Sequence, residues 1–200
     1  MWKPKILVGS LLVLVGLIVI SVPLLYEWQK NKEVIAMERA LDMIEGNNND
    51  TADLSSIKHL TVSEEELNNV MELEIPSIDL IEKVLPVTSE ENLSIALTQI
   101  KPHQVPGQGN FAIAGHRGYR GDRLFRKLPE VLKGDKVLLR HGNETYTYQI
   151  VRSAIIEPNE VDVLKDQQKN EITLITCTLD GKQRFVLNGI RIDAKKGKSM

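Results

Sequence analysis

The chain has 200 residues, enough for one domain of ordinary size plus an additional segment. Lys and Arg number 25 against 27 Asp and Glu, a formal net charge of −2, so the cationic excess that a nucleic-acid partner requires is missing. Apolar residues make up 42% and aromatics only 4%, which excludes a disordered chain and points to a core built from Ile, Leu and Val.

The additional segment comes first. From Ile6 to Tyr26 the sequence carries no charge, and about 20 apolar residues span the hydrocarbon core of a bilayer. A buried core helix is seldom apolar on every face. A cleaved signal peptide has a shorter apolar run, of about 7–15 residues, followed by small residues, whereas this run ends Val22-Pro-Leu-Leu-Tyr26. The expectation is therefore an anchor over residues 1–26. Lys3, Lys5 and the amino terminus precede the span, and Glu27 and Glu33 offset Lys30 and Lys32 after it. Positive charge stays on the cytoplasmic side, which places the N-terminus inside and the remaining chain outside.

Residues 27–69 read as a helical or mobile stalk. Val34, Met37, Ala40, Leu41 and Ile44 recur at helical spacing, Gly46–Asp50 breaks the pattern, and an acidic stretch begins at Ser63. From about residue 70 the texture becomes that of short strands. Leu73–Pro76, Asp79–Val87, Phe111–Ala114, Lys136–Arg140, Glu144–Ile156, Ile172–Cys177 and Arg184–Ile192 are separated by Gly, Pro and Asn clusters, with one helix expected over Glu91–Ile100. The pattern predicts a mostly β domain over 70–200, an antiparallel barrel or sandwich with one or two short helices.

Cys177 is the one cysteine, so an exported chain cannot form an internal disulfide with it. It pairs with another chain, stays inert as a buried apolar side chain, or is a working thiol. Its place at the end of Ile172–Cys177, before a polar turn, favours access. A thiol needs a partner, because at an ordinary pKa of about 8.5 little of it is thiolate near neutrality. Among the histidines, His59 falls in the stalk, His141 in a turn and His103 in a loop, whereas His116 follows a strand and opens a Gly/Arg-rich loop. If Thr178–Gln183 joins the last two strands, Arg184 falls opposite Cys177. Arg191 lies seven residues further, about 23 Å at about 3.3 Å per residue, and on the other face of a regular strand.

Thr173-Leu-Ile-Thr-Cys177 matches the TLxTC signature of sortases, Ala114-Gly115-His116-Arg117 resembles their histidine segment, and Arg184-Phe-Val-Leu187 resembles their arginine strand. The resemblance covers about residues 70–194. It implies a closed sortase-like β-barrel, class A or the related class D, and a transpeptidase of the Gram-positive cell surface that uses no cofactor. By similarity Cys177 attacks an LPxTG-like sorting signal of a secreted protein, His116 exchanges protons, and Arg184 steadies the acyl oxygen. Thr176 resembles a residue that positions substrate, and the acceptor is an amine of a peptidoglycan precursor. Some sortases bind calcium through acidic residues upstream of the histidine. Lys101–Asn110 has no Asp or Glu, so no metal site is carried over. Three rivals remain open: a cysteine hydrolase without transfer, a noncatalytic surface binding module, and a metal site on Cys177 and His116, which supply fewer than the usual three or four ligands.

Overall fold

A computed structural model describes residues 8–25, 28, 69–118, 123–167 and 169–192. The chain divides into two units, Met1–Leu60 and Thr61–Met200. In the first, Val8–Leu25 forms helix α1, long and apolar enough to cross a membrane, with its Leu, Val and Ile side chains exposed. The stalk reading falls outside the described residues except at Trp28 and Asn69.

Among its described residues the second unit contains eight strands: β1 (Met71–Ile75), β2 (Leu80–Leu85), β3 (Leu97–Gln99), β4 (Asn110–Ala114), β5 (Lys136–His141), β6 (Glu144–Ile156), β7 (Glu171–Cys177) and β8 (Arg184–Arg191). They close in the order β1-β2-β3-β4-β7-β8-β6-β5, with β5 returning to β1. Closure leaves no free sheet edge. The barrel follows from alternation along each strand. In β1, Met71, Leu73 and Ile75 are buried while Glu72 and Glu74 face out and pair with Arg140 of β5. Leu73, Phe111, Ile113, Leu139, Tyr148, Ile172 and Leu174 fill the interior. Each such side chain contributes roughly 1.5–3 kcal/mol relative to exposure, as an upper estimate.

Two details differ from the sequence reading. The pairings are antiparallel except β2 with β3 and β4 with β7, which are parallel. A parallel pair requires a crossover, and β5 and β6 occupy the one between β4 and β7. The helix expected over Glu91–Ile100 is shorter: α2 spans Glu90–Ile95, capped where the Ser89 hydroxyl accepts from the Asn92 amide at 3.1 Å. At Ala96 the backbone becomes extended, and Leu97–Gln99 joins the sheet as β3 because Leu97 is worth more inside the barrel than on a helix.

Candidate active site

The site lies where β4 and β7 end and β8 begins. Cys177 closes β7, half-buried, with Arg184 as its direct cross-strand partner. Ile172, Leu174 and Thr176 face the interior; Thr173, Ile175 and Cys177 share the outer face. Strand β4 runs parallel to β7, with Ala114 beside Ile175. His116, two residues past Ala114, therefore comes level with Cys177, two past Ile175. The cysteine is bracketed by the histidine on one side and the arginine on the other.

The backbone beside His116 is fixed by three hydrogen bonds. The Gly115 amide donates to the Ile175 carbonyl at 3.1 Å, the Thr176 hydroxyl donates to the Gly115 carbonyl at 2.9 Å, and the Phe125 amide donates to the His116 carbonyl at 3.1 Å. The imidazole itself is exposed. Gly115 has no room for a side chain, since a Cβ would stand 2.4 Å from Leu97 Cδ2 and 2.8 Å from Phe125 Cδ2. Leu124, before Phe125, takes a left-handed backbone (φ 53°), unusual for leucine, and is held by its amide donating to Glu82 at 2.7 Å. Thr176 is 2% exposed, so its hydroxyl lies within the wall and serves the histidine segment.

Arg184 is half-buried, and its Nη1 donates to the carbonyls of Gly181 at 3.2 Å and Gln183 at 3.1 Å. The loop behind it is braced internally. The Thr178 hydroxyl donates to Asp180 at 2.6 Å and accepts from the Gln183 amide at 3.1 Å. The Thr178 hydroxyl, and after it the Lys182 amide, hold the Asp180 carboxyl below its ordinary range. Arg191 is at the opposite end of the barrel. It stacks on Tyr146, 4.9 Å from the ring centroid, and its Nη1 donates to the Gly107 carbonyl at 3.3 Å. Strand β8 keeps a regular register with β7 throughout. The irregularity opposite Gly189 lies in β6, between Ile150 and Arg152, so the face of Arg191 is not reversed.

His103 and His141 line a cavity of about 450 Å³ with Pro86, Val87 and Tyr146. His141 ends β5 against the start of β6, away from Cys177. His59 lies outside the described residues.

Sequence reasoning missed a polar tie across the wall. The Thr173 hydroxyl donates to Asn110 Oδ1 at 2.7 Å and accepts from Asn188 Nδ2 at 2.9 Å, linking β4, β7 and β8. Asn110 Nδ2 also donates to the Val163 carbonyl at 2.8 Å, and Lys101 Nζ to the Leu164 carbonyl at 3.1 Å. These bonds seat the β6–β7 connection over the outer face of the site strands. An asparagine opening an apolar strand was the only signal in the sequence.

The sortase domain family matches residues 73–191, more than half of the chain, and the chain belongs to that family. It is 28% identical over 204 residues to Sortase A of Bacillus anthracis, covering 96% of each chain. It is 28% identical over 127 residues to Sortase D of Bacillus subtilis, covering 60% of this chain and 62% of that one. The crystal structure of sortase A from Listeria monocytogenes matches with a TM-score of 0.61 at 31% identity, covering 64% of this chain and 92% of the other. Family and fold together support a transpeptidase of the sortase type, with class A and class D relatives both represented.

Proposed function

We propose that the protein is a membrane-anchored cysteine transpeptidase that cleaves an LPxTG-like signal and joins the severed protein to a cell-wall amine. The observation that carries the reading is the register of three strand ends, which brackets Cys177 between His116 and Arg184. The Cys177 thiolate attacks the threonine carbonyl carbon, forming a C–S bond while the C–N bond to glycine breaks. His116 gives its proton to the departing amine. The thioester is then attacked by the acceptor amine: a C–N bond forms, the C–S bond breaks, and the amine's proton passes to His116. Arg184 donates to the oxygen that gains charge in each tetrahedral intermediate. Its Nη1 already serves two loop carbonyls, which orients the fork and leaves its other donors for this role.

Ala114 and Ile175, paired neighbours on the outer face and both half-buried, would lie under an extended peptide approaching the trio. Thr176 acts on the histidine segment as a positioning residue in this reading. The helix Val8–Leu25 supplies the anchor, with the N-terminus cytoplasmic and the catalytic domain, taken as 70–200, outside. The test is incubation of an LPxTG-type peptide with enzyme and a glycine-based amine, with masses of protein and products read. A thioester on the wild type, its absence in Cys177→Ala, and an amide product are expected. Product formation by Cys177→Ala would overturn the nucleophile, and hydrolysis with no amide at any amine concentration would reduce the activity to a peptidase.

A further inference from the structure

One inward-facing amide of the barrel has no partner. Gln99 ends β3 and is 5% exposed. Leu97, two residues earlier on the same strand face, belongs to the core, so the Gln99 side chain points inward, onto the cavity of about 450 Å³ that it helps to line. The Gln99 backbone carbonyl accepts from the Thr88 hydroxyl at 2.7 Å, but its side-chain amide makes no hydrogen bond among the described residues. Nor is that amide sealed in protein: among the same residues, the enclosed side-chain polar atom that lacks a partner is Asn92 Oδ1. The Gln99 amide therefore faces open space, and an inward amide left unpaired is one that a ligand can satisfy.

The space around it selects the ligand. Strands β1 and β6 begin and β3 and β5 end around the cavity, at the end of the barrel where Arg191 stacks on Tyr146. Small-ligand sites measure about 300–1,000 Å³, and this one is in that range. Its lining carries no Asp, Glu, Lys or Arg, and its titratable groups are His103 and His141, so an uncharged group suits it better than an ion. Val87 and Val105, also on the lining, are 46% and 49% exposed, which makes the rim apolar.

A neighbouring glutamine shows what such an amide can hold. Gln104 Nε2 donates to the Ala112 carbonyl at 2.9 Å, and Gln104 Oε1 accepts from the Ala112 amide at 2.6 Å. One side chain thus grips both polar groups of one residue of extended backbone. The barrel is closed, so a partner cannot be added as a further strand and must be held by side chains instead.

We infer that this cavity docks a short extended stretch of another polypeptide. Gln99 holds one residue by its backbone N–H and C=O, and that residue's branched apolar side chain enters the lining past Val87 and Val105. The inference is independent of the transpeptidase reading, because it uses none of Cys177, His116 and Arg184.

The experiment places the full chain carrying Cys177→Ala in nanodiscs and titrates it into a fluorescent, end-capped Val-Leu-Val peptide, read by polarisation. Three comparisons accompany it: Gln99→Met in the protein, which keeps the volume and removes the amide; N-methylation of the central peptide nitrogen; and glycine in place of the central leucine. Partition of peptide into the lipid is the same for both proteins, so a difference between them reads the cavity. Saturable binding is expected, weakened on the order of tenfold by Gln99→Met and by N-methylation. The two changes together should weaken it little more than either alone, because both remove the same contact. Glycine should weaken it further by emptying the lining. No saturable binding, as when residues of the chain preceding Asn69 take the cavity, overturns the inference. So does binding that Gln99→Met leaves unchanged. If Gln99→Met fails to fold, the N-methylated peptide decides alone, and equal affinity for the two peptides overturns the assignment.

Discussion

The hydroxyl of Thr176 donates to the carbonyl of Gly115 at 2.9 Å, a bond between residues 61 positions apart in sequence that each immediately precede a member of the proposed catalytic pair. It couples the strand end bearing Cys177 to the strand end bearing His116 within the wall. Thr176→Val keeps the volume and removes the donor, and should lower kcat on the order of tenfold with little change in KM for the sorting peptide. The stability cost should be about 1 kcal/mol, as for one buried hydrogen bond. Thr176→Ser should restore most of the rate. Equal rates for Val and Ser variants would show that the bond positions nothing.

The two arginines of β8 should behave differently. Arg184→Ala should cost about 100-fold or more in kcat/KM, comparable to losing one oxyanion donor, and Arg184→Lys should recover only part of it. Arg191→Ala loses the stacking on Tyr146 and the bond to Gly107, and should cost about 1 kcal/mol of stability with little loss of rate. Steady-state rates and thermal melts on the three variants settle the matter. An inactive Arg191→Ala beside an active Arg184→Ala would reverse the assignment.

At Gly115 the constraint is steric. An added Cβ would press on Leu97 and Phe125, both fully buried, and the wall must shift to admit it. Gly115→Ala should destabilise the domain by about 1–3 kcal/mol and slow thioester formation more than that loss explains, because the displaced residue adjoins His116. Denaturant melts paired with single-turnover rates read the two effects apart. A variant with wild-type stability would contradict the packing described.

The outer face of β1 should give the barrel an acid-sensitive component. Burial alone raises the pKa of Glu72, but hydrogen bonds from Arg140 (2.6 Å) and Lys83 (3.3 Å) outweigh it and hold the carboxyl below the usual range. A carboxyl with a folded pKa below its unfolded one binds fewer protons when folded. Its stabilisation is therefore full above the ordinary carboxylate range and fades as pH falls through the folded value. Melting temperatures from about pH 7 to about pH 3 should fall less steeply in Glu72→Gln than in wild type. Parallel curves would remove Glu72 from the account.

The anchor is tested by topology. Protein with residues 1–26 should fractionate with membranes, and protease added to wall-stripped cells should digest the region from 70 onward, because the span is long and its flanking charge asymmetric. Removal of residues 1–26 should yield a soluble enzyme that still forms the thioester. Protection of the domain from external protease would overturn the orientation.

The strands were legible because alternation and turn residues mark them locally: Glu144–Ile156 appears in the structure with the boundaries its pattern suggests. The helix ending at Ile95 was not, since nothing near Ala96 announces that Leu97 is needed inside the barrel. The same division holds at the site. Cys177 and Arg184 could be paired from hairpin geometry, which is local, whereas the level of His116 depends on the parallel β4–β7 pairing, which is not. Asn110 and Thr173 were invisible as a pair, because a polar tie across strands 63 positions apart leaves no periodic trace. The crowding at Gly115 is likewise set by Leu97 and Phe125, from other parts of the chain.

In the proposed mechanism, the closing order of the barrel governs when the Cys177 thiol becomes useful. Strand β8, the last in sequence order, pairs with both β6 and β7 and brings Arg184, while β4 must already lie against β7 to bring His116. The β7–β8 pairing is a local hairpin, but the β4–β7 and β6–β8 pairings join distant parts of the chain and form slowly by comparison. A chain emerging from its N-terminus presents Cys177 before Arg184, and in that interval the cysteine stands without its proposed cation. If the proposed roles hold, acylation competence arrives with completion of the fold, and a half-assembled molecule would not cut the secreted chains proposed as its substrates.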